Sequence, residues 1–290
     1  MNRTWAFWLA AAAVGGLVAR PAFGIYEDVT TERYPDADAV LVDSVATVAY
    51  QADGSYVSDD EHQIKILTEK GRVSESEIEI AFNRRYGTAA ITGVSVVGAD
   101  GAERAVDVSA TTKETTDNAS ASENIFDPQA RKIVCTVPGL KVGDVLKYTT
   151  HRENLRSRVE NQFADIGVLE WSVPIVRGVV TFIAPKERPL VNRTVRHPLG
   201  NVDYREETLS DGRLSYTWTA RNSPQAFAEP NTPPFYTQVQ HVRVSTAKDW
   251  PTLSKWYWEL CVPHLGKTTA GITNKVEEIL ATTEAAELPR

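Results

Sequence analysis

The chain has 290 residues, 42% of them hydrophobic and 24% charged, with a formal net charge of −7. That length allows one large domain or two modest ones, and that composition supports a packed core, excluding collagen, coiled coil and bulk disorder. The acidic balance gives no electrostatic reason to seek nucleic acid or an anionic membrane surface.

The first residues read as an export signal. Met1-Asn2-Arg3 is a short basic start, Trp5 to Ala19 carries no charge, and Ala22-Phe23-Gly24 sets small residues where a signal peptidase reads. The apolar run is shorter than the roughly 20 residues a spanning helix needs. Residues 1–24 are therefore expected to be a cleaved signal peptide, with an uncleaved N-terminal anchor as the alternative. Cleavage removes Arg3 and Arg20 and no acid, so −7 becomes −9. The expected location is periplasmic or extracellular, with no membrane span after signal removal.

From there the chain reads as short strands separated by turns. Ala39 to Tyr50 closes on Asp53-Gly54, Ile64 to Thr68 closes on Lys70-Gly71, and Ile78 to Phe82 alternates with period two. Ile91 to Val97 precedes Ala99-Asp100-Gly101, and the Asp-Gly pairs predict hairpins of successive antiparallel strands. Residues 108–124 are polar and small and read as an exposed loop, with a polar edge strand as the alternative for part of it. Further strands are expected at 132–137, 145–149, 163–171, 175–183, 202–205, 214–219 and 238–244. A hairpin should turn at Ser210-Asp211-Gly212.

The pattern changes at Asp249, a natural N-cap with Pro251 in the first turn. Trp250, Leu253, Tyr257 and Leu260 then share a helical face, and Pro263 ends the helix. A second helix is expected over 269–285, with Ile272, Val276, Ile279 and Leu280 on one face. The fold class is thus mainly β: an antiparallel β-sandwich over 25–246, conceivable as two stacked halves, followed by two C-terminal helices over 247–290. Trp250 and Tyr257 are expected to pack the first helix on the sandwich. Trp256 and Trp258 point elsewhere and are the candidate docking residues.

Catalytic motifs are few. No GxSxG, P-loop, HExxH or dinucleotide fingerprint occurs, and no CxxC or zinc-spaced Cys/His cluster. Cys261 and His264 are raw material for a thiol nucleophile, but Pro263 breaks the helical geometry between them and a core cysteine is usually inert. Cys135 sits in a strand-like run and reads as a small hydrophobe. His62, His151, His197 and His241 are scattered, and Asp59-Asp60-Glu61 reads as a solvated turn. No catalytic, cofactor or metal residue is assigned.

Several segments carry a resemblance. They are Tyr34-Pro35-Asp36-Ala37-Asp38-Ala39-Val40, Lys65 to Arg72, Pro138 to Leu146, Pro174-Ile175, Ala184-Pro185 and Asp249-Trp250. In this order and spacing they resemble the N-terminal domain of unknown function that precedes transglutaminase-like cores in exported bacterial proteins, over residues 30–250. The resemblance implies a sandwich followed by a papain-like core with a Cys-His-Asp triad. In that family a Cys commonly follows Gly-Asp and opens a helix. No Gly-Asp-Cys occurs here, so neither Cys135 nor Cys261 inherits the role. The expectation is a non-catalytic accessory domain, with residues 247–290 as the start of a truncated core and that core as partner. The alternative is a stand-alone module binding a peptide or glycan.

Overall fold

The computed structural model describes residues 24–119, 124, 126–227, 229 and 231–282. The expected signal peptide and the chain beyond Thr282 lie outside the described residues, apart from Gly24. After a helical turn, α1 (Gly24–Glu27), the chain forms β1 (Ala39–Tyr50) and β2 (Tyr56–Ile66), then α2 (Glu69–Ser74), β3 (Glu77–Asn83), β4 (Gly87–Val97) and β5 (Glu103–Ala105). Next come α3 (Val108–Thr111), β6 (Thr112–Thr116), β7 (Ala130–Thr136), β8 (Val145–Asn154), β9 (Ala164–Val168) and β10 (Ile175–Ala184). β11 (Asn192–Arg196), β12 (Val202–Thr208), β13 (Leu214–Ser223) and β14 (His241–Ser245) complete the β region, and α4 (Trp250–Cys261) and α5 (Ala270–Thr282) follow it.

Eight strands form one large sheet in the order β12-β13-β10-β1-β2-β8-β4-β5, and two small sheets run β11-β14-β9 and β3-β7-β6. Period-two alternation puts Tyr56, Ser58, Asp60, His62, Ile64 and Ile66 of β2 on one face of the large sheet. Ile64 and Ile66 pack with Ile78 and Ile80 of β3 and Cys135 of β7. Tyr56, at the other end, packs with Phe163 beside β9 and with Val242 and Val244 of β14. The two small sheets therefore roof two ends of the same face, giving two sandwich halves on a shared floor. Register shifts at Leu41/Asp43 in β1 and at Ile91/Gly93 in β4 keep the apolar residues on that face along both strands.

The second half is aromatic-rich. Phe163 stacks on Tyr50 at 4.3 Å and meets Phe182 edge-on, and Phe182 meets Trp218 edge-on at 6.0 Å. Such pairs add about 0.5–1.5 kcal/mol each beyond the area they bury. On the opposite face of the large sheet, Val40, Val42, Val97 and Val145 are covered by Tyr26, Val29 and Ala37 of the N-terminal segment.

Two expectations are corrected. Residues 108–116 are not loop: Asp107 caps α3 through the backbone N–H groups of Ser109 and Ala110, and β6 then pairs with β7. β6 is the polar edge strand given as the alternative for part of this segment, and polar Thr and Lys are tolerated there where a central strand needs hydrophobes. Residues 120–123 and 125 of the expected loop lie outside the described residues. The strands are also not all antiparallel to their neighbours. β1 pairs β10 in parallel, Leu41 beside Ile175 and Ala49 beside Ile183, a long-range contact that turn signals cannot reveal.

Candidate functional site

Between the two apolar cores the floor turns polar. Ser44, His62 and Tyr148 lie side by side across β1, β2 and β8, with Asp60 and Thr150 one step along and Ser58 and Arg152 the next. His62 Nδ1 lies 3.1 Å from Ser44 Oγ, its ring tilts on Tyr148 at 4.8 Å, and Thr150 Oγ1 donates to Asp60 at 3.2 Å. Burial holds the His62 pKa below the ordinary imidazole value, against the opposing charge of Asp60. Burial likewise pushes up the Tyr148 phenol and the Glu75 carboxyl.

Asp165 of β9 hangs over this stripe. It pairs with buried Val244, which sets its side chain on the core face, and Gly167 two residues on presses against Val180. Burial raises its pKa to about 6, against the attraction of Arg152. One carboxylate oxygen accepts the Ile166 N–H at 2.8 Å. A cavity of about 480 Å³ opens at this end of the stripe, lined by Tyr56, Asn154, Phe163, Asp165, Ala247 and Leu253 among others.

Among the described residues no carboxylate hydrogen-bonds the other imidazole nitrogen of His62. The remaining sequence candidates stay apart. Cys135 is buried with Thr111 Oγ1 at 3.3 Å, Cys261 is half-buried at the end of α4, and both are free. His151 is ion-paired with Asp59 at 2.7 Å on the far face of the sheet from His62, and that contact raises its pKa. His241 is buried and its Nδ1 contacts the Val239 carbonyl oxygen. Among the described residues no three His, Cys, Asp or Glu side chains gather to hold a metal, and no helix is long and apolar enough to cross a membrane.

The C-terminal helices stand out instead. Asp249 caps α4 as expected, accepting from Thr252 N–H at 2.9 Å. The face expected to pack on the sandwich does not: Trp250 is 79% exposed and Tyr257 64%. Only Leu253 of that face reaches the cavity beside Asp165. Of the two docking candidates, Trp258 is 60% exposed and Trp256 is half-buried against Tyr257. On α5, Ile272, Val276, Ile279 and Leu280 are all about half exposed.

A polar-floored double β-sandwich with an uncovered helical appendage defines the class: a mainly β domain. The chain belongs to the DUF3857 family, a domain of unknown function with a solved structure, which matches residues 52–227. A crystal structure from Parabacteroides distasonis ATCC 8503, described as a "putative protease", shares the fold. It superposes at a TM-score of 0.62 with 21% identity, over 72% of this chain and 40% of that one. The chain thus spans well under half of that protein. Two carbohydrate-binding modules of family 3a, from the CipA scaffoldin of Clostridium thermocellum, overlap only weakly. They reach TM-scores of 0.23 and 0.22 at 9% identity, covering 41% and 38% of this chain and 68% and 74% of the modules. No curated protein matches the chain.

Proposed function

We propose that this chain is the exported, non-catalytic front domain of a transglutaminase- or protease-like protein, and that α4 and α5 seat the following core. One observation carries the reading: Trp250, Tyr257, Trp258 and Leu260 on α4, and Ile272, Val276, Ile279 and Leu280 on α5, are 45–79% exposed. Amphipathic helices with apolar stripes hold their place in a protein by burying them. An uncovered stripe of this size marks a contact. The likeness to 40% of a longer protein described as a "putative protease" is in keeping with one domain of a larger protein.

The test is hydrogen exchange of residues 250–282 in this chain alone and with a transglutaminase-like core supplied, from the same gene or a neighbouring one. The expected result is slowed exchange in both helices, weakened by Trp256→Ala with Trp258→Ala while the sandwich keeps its melting temperature. Unchanged exchange with a folded core present would falsify the docking role.

The runner-up is a stand-alone module for an extended peptide. It is favoured by the cavity at β9, whose free edge faces away from β14 at Ala164 and Ile166. A saturable change in tryptophan fluorescence with short peptides, and none with the core, would put this reading ahead.

A further inference from the structure

We propose that a groove between the β3–β4 turn and the segment leaving β8 is a binding site for a phosphate-bearing ligand. Arg84 and Arg85 occupy the turn, and Arg156 and Arg158 follow β8, some seventy positions on. The fold joins them. Leu155 N–H donates to the Tyr86 carbonyl at 2.8 Å, and Gly87 pairs with Asn154. A Cβ at Gly87 would lie 1.8 Å from the Glu153 carbonyl oxygen, so only glycine lets β4 begin this close to β8. Arg84, Arg85, Gln129, Leu155 and Arg156 line a groove of about 390 Å³, and Arg158 stacks over Tyr86 in its wall at 5.4 Å.

The guanidinium groups are largely unspent. Arg84 pairs with Glu114, which Arg131 also engages. Arg85, Arg156 and Arg158 have no carboxylate within 4.0 Å among the described residues. The acid beside Arg85 is Asp127, whose oxygens already accept from Gln129 N–H and Asn83 Nδ2. Such a concentration of positive charge runs against a chain whose net charge is −7. Guanidinium forks match planar pairs of oxygens on carboxylate or phosphate. A lone carboxylate satisfies one fork, whereas Arg85 and Arg156, both unpaired, and Arg84, which shares Glu114 with Arg131, line one groove and suit an anion that offers oxygens to more than one fork, as a phosphate does.

The probes are inorganic phosphate and glycerol 3-phosphate, titrated into the chain at low salt, and vesicles of phosphatidylglycerol in phosphatidylcholine against phosphatidylcholine alone. Binding of the soluble phosphates is expected. Binding of phosphatidylglycerol vesicles only would assign the same chemistry to a lipid headgroup. In either case Arg85→Glu with Arg156→Glu should weaken binding about tenfold or more, the loss of a charge-assisted contact. The melting temperature should hold, because both side chains are exposed. Arg85→Gln with Arg156→Gln serves if the reversal unfolds the chain. Absence of binding to every probe, or binding indifferent to these variants, overturns the site. The outcome is independent of whether α4 and α5 dock a core.

Discussion

Asp165 and Asp43 show how burial sets what a charge costs in this fold. Between the ordinary carboxylate value of 3.8 and about 6, folded Asp165 holds a proton that the unfolded chain has released. Stability contributed by this group therefore falls as pH rises through that window. Asp165→Asn keeps an oxygen for Ile166 N–H and removes the charge, so it should stabilise the chain by about 1–2 kcal/mol near neutral pH and hardly at all near pH 4. Denaturant melts at the two pH values decide; a loss at neutral pH would mean that ionised Asp165 is held favourably by Arg152. Asp43 is the opposite arrangement, a buried carboxylate with a partner, Arg177 Nη1 at 2.7 Å, the side chains 7% and 18% exposed. Desolvation still raises the Asp43 pKa against that attraction. Removing the cation alone strands a buried charge, so Arg177→Met should cost about 3 kcal/mol. Adding Asp43→Leu should restore most of it, and a double variant no better than the single would sink the account.

At the scale of elements, the two small sheets depend on close approach to the large one. Gly167 of β9 has no room for a side chain, since a Cβ would come within 2.5 Å of Val180 Cγ1 in β10. Gly167→Ala should cost about 1–3 kcal/mol by overpacking and should speed exchange in β9 and β14 before β3 and β7. Uniform acceleration across both small sheets would instead show that the halves open together. Which elements were legible in the sequence follows from what each buries. β1 alternates between apolar faces, and the 214–219 run and its Asp-Gly turn lie within the observed β12–β13 hairpin. β2 was read only at its apolar end, because its middle carries Asp59-Asp60-Glu61-His62 on a floor strand and polar side chains there hide the period-two signal. β5 and β11 give no strand signal, and β6 only that of an alternative polar edge strand, because edge strands need few hydrophobes. The polar stripe and the arginine groove share one reason for being hidden: each is assembled from strands or turns distant in sequence, and net charge averages the groove away.

For the whole molecule, the question is whether residues 250–282 belong to the unit that unfolds with the sandwich. α4 and α5 contain no buried residue among those described. Each of the three apolar cores is built from residues before Thr246. Trp250 at the first position of α4 is more exposed than any other large hydrophobic residue described. Helices of 12 and 13 residues are marginal in water without packing. The β-domain should therefore melt as it does in the whole chain when the helices are deleted after Lys248, within about 0.5 kcal/mol, the usual range for changes away from buried features. The deletion removes Leu253 from the mouth of the cavity beside Asp165. Calorimetry of the two lengths side by side is the measurement. Matching transitions would make the helices an appendage free to fold on a partner, the property that a docking element needs. A shortened chain that melts several degrees lower would show that α4 closes the β9 cavity in solution, and the uncovered stripe would then belong to the sandwich rather than to a following core.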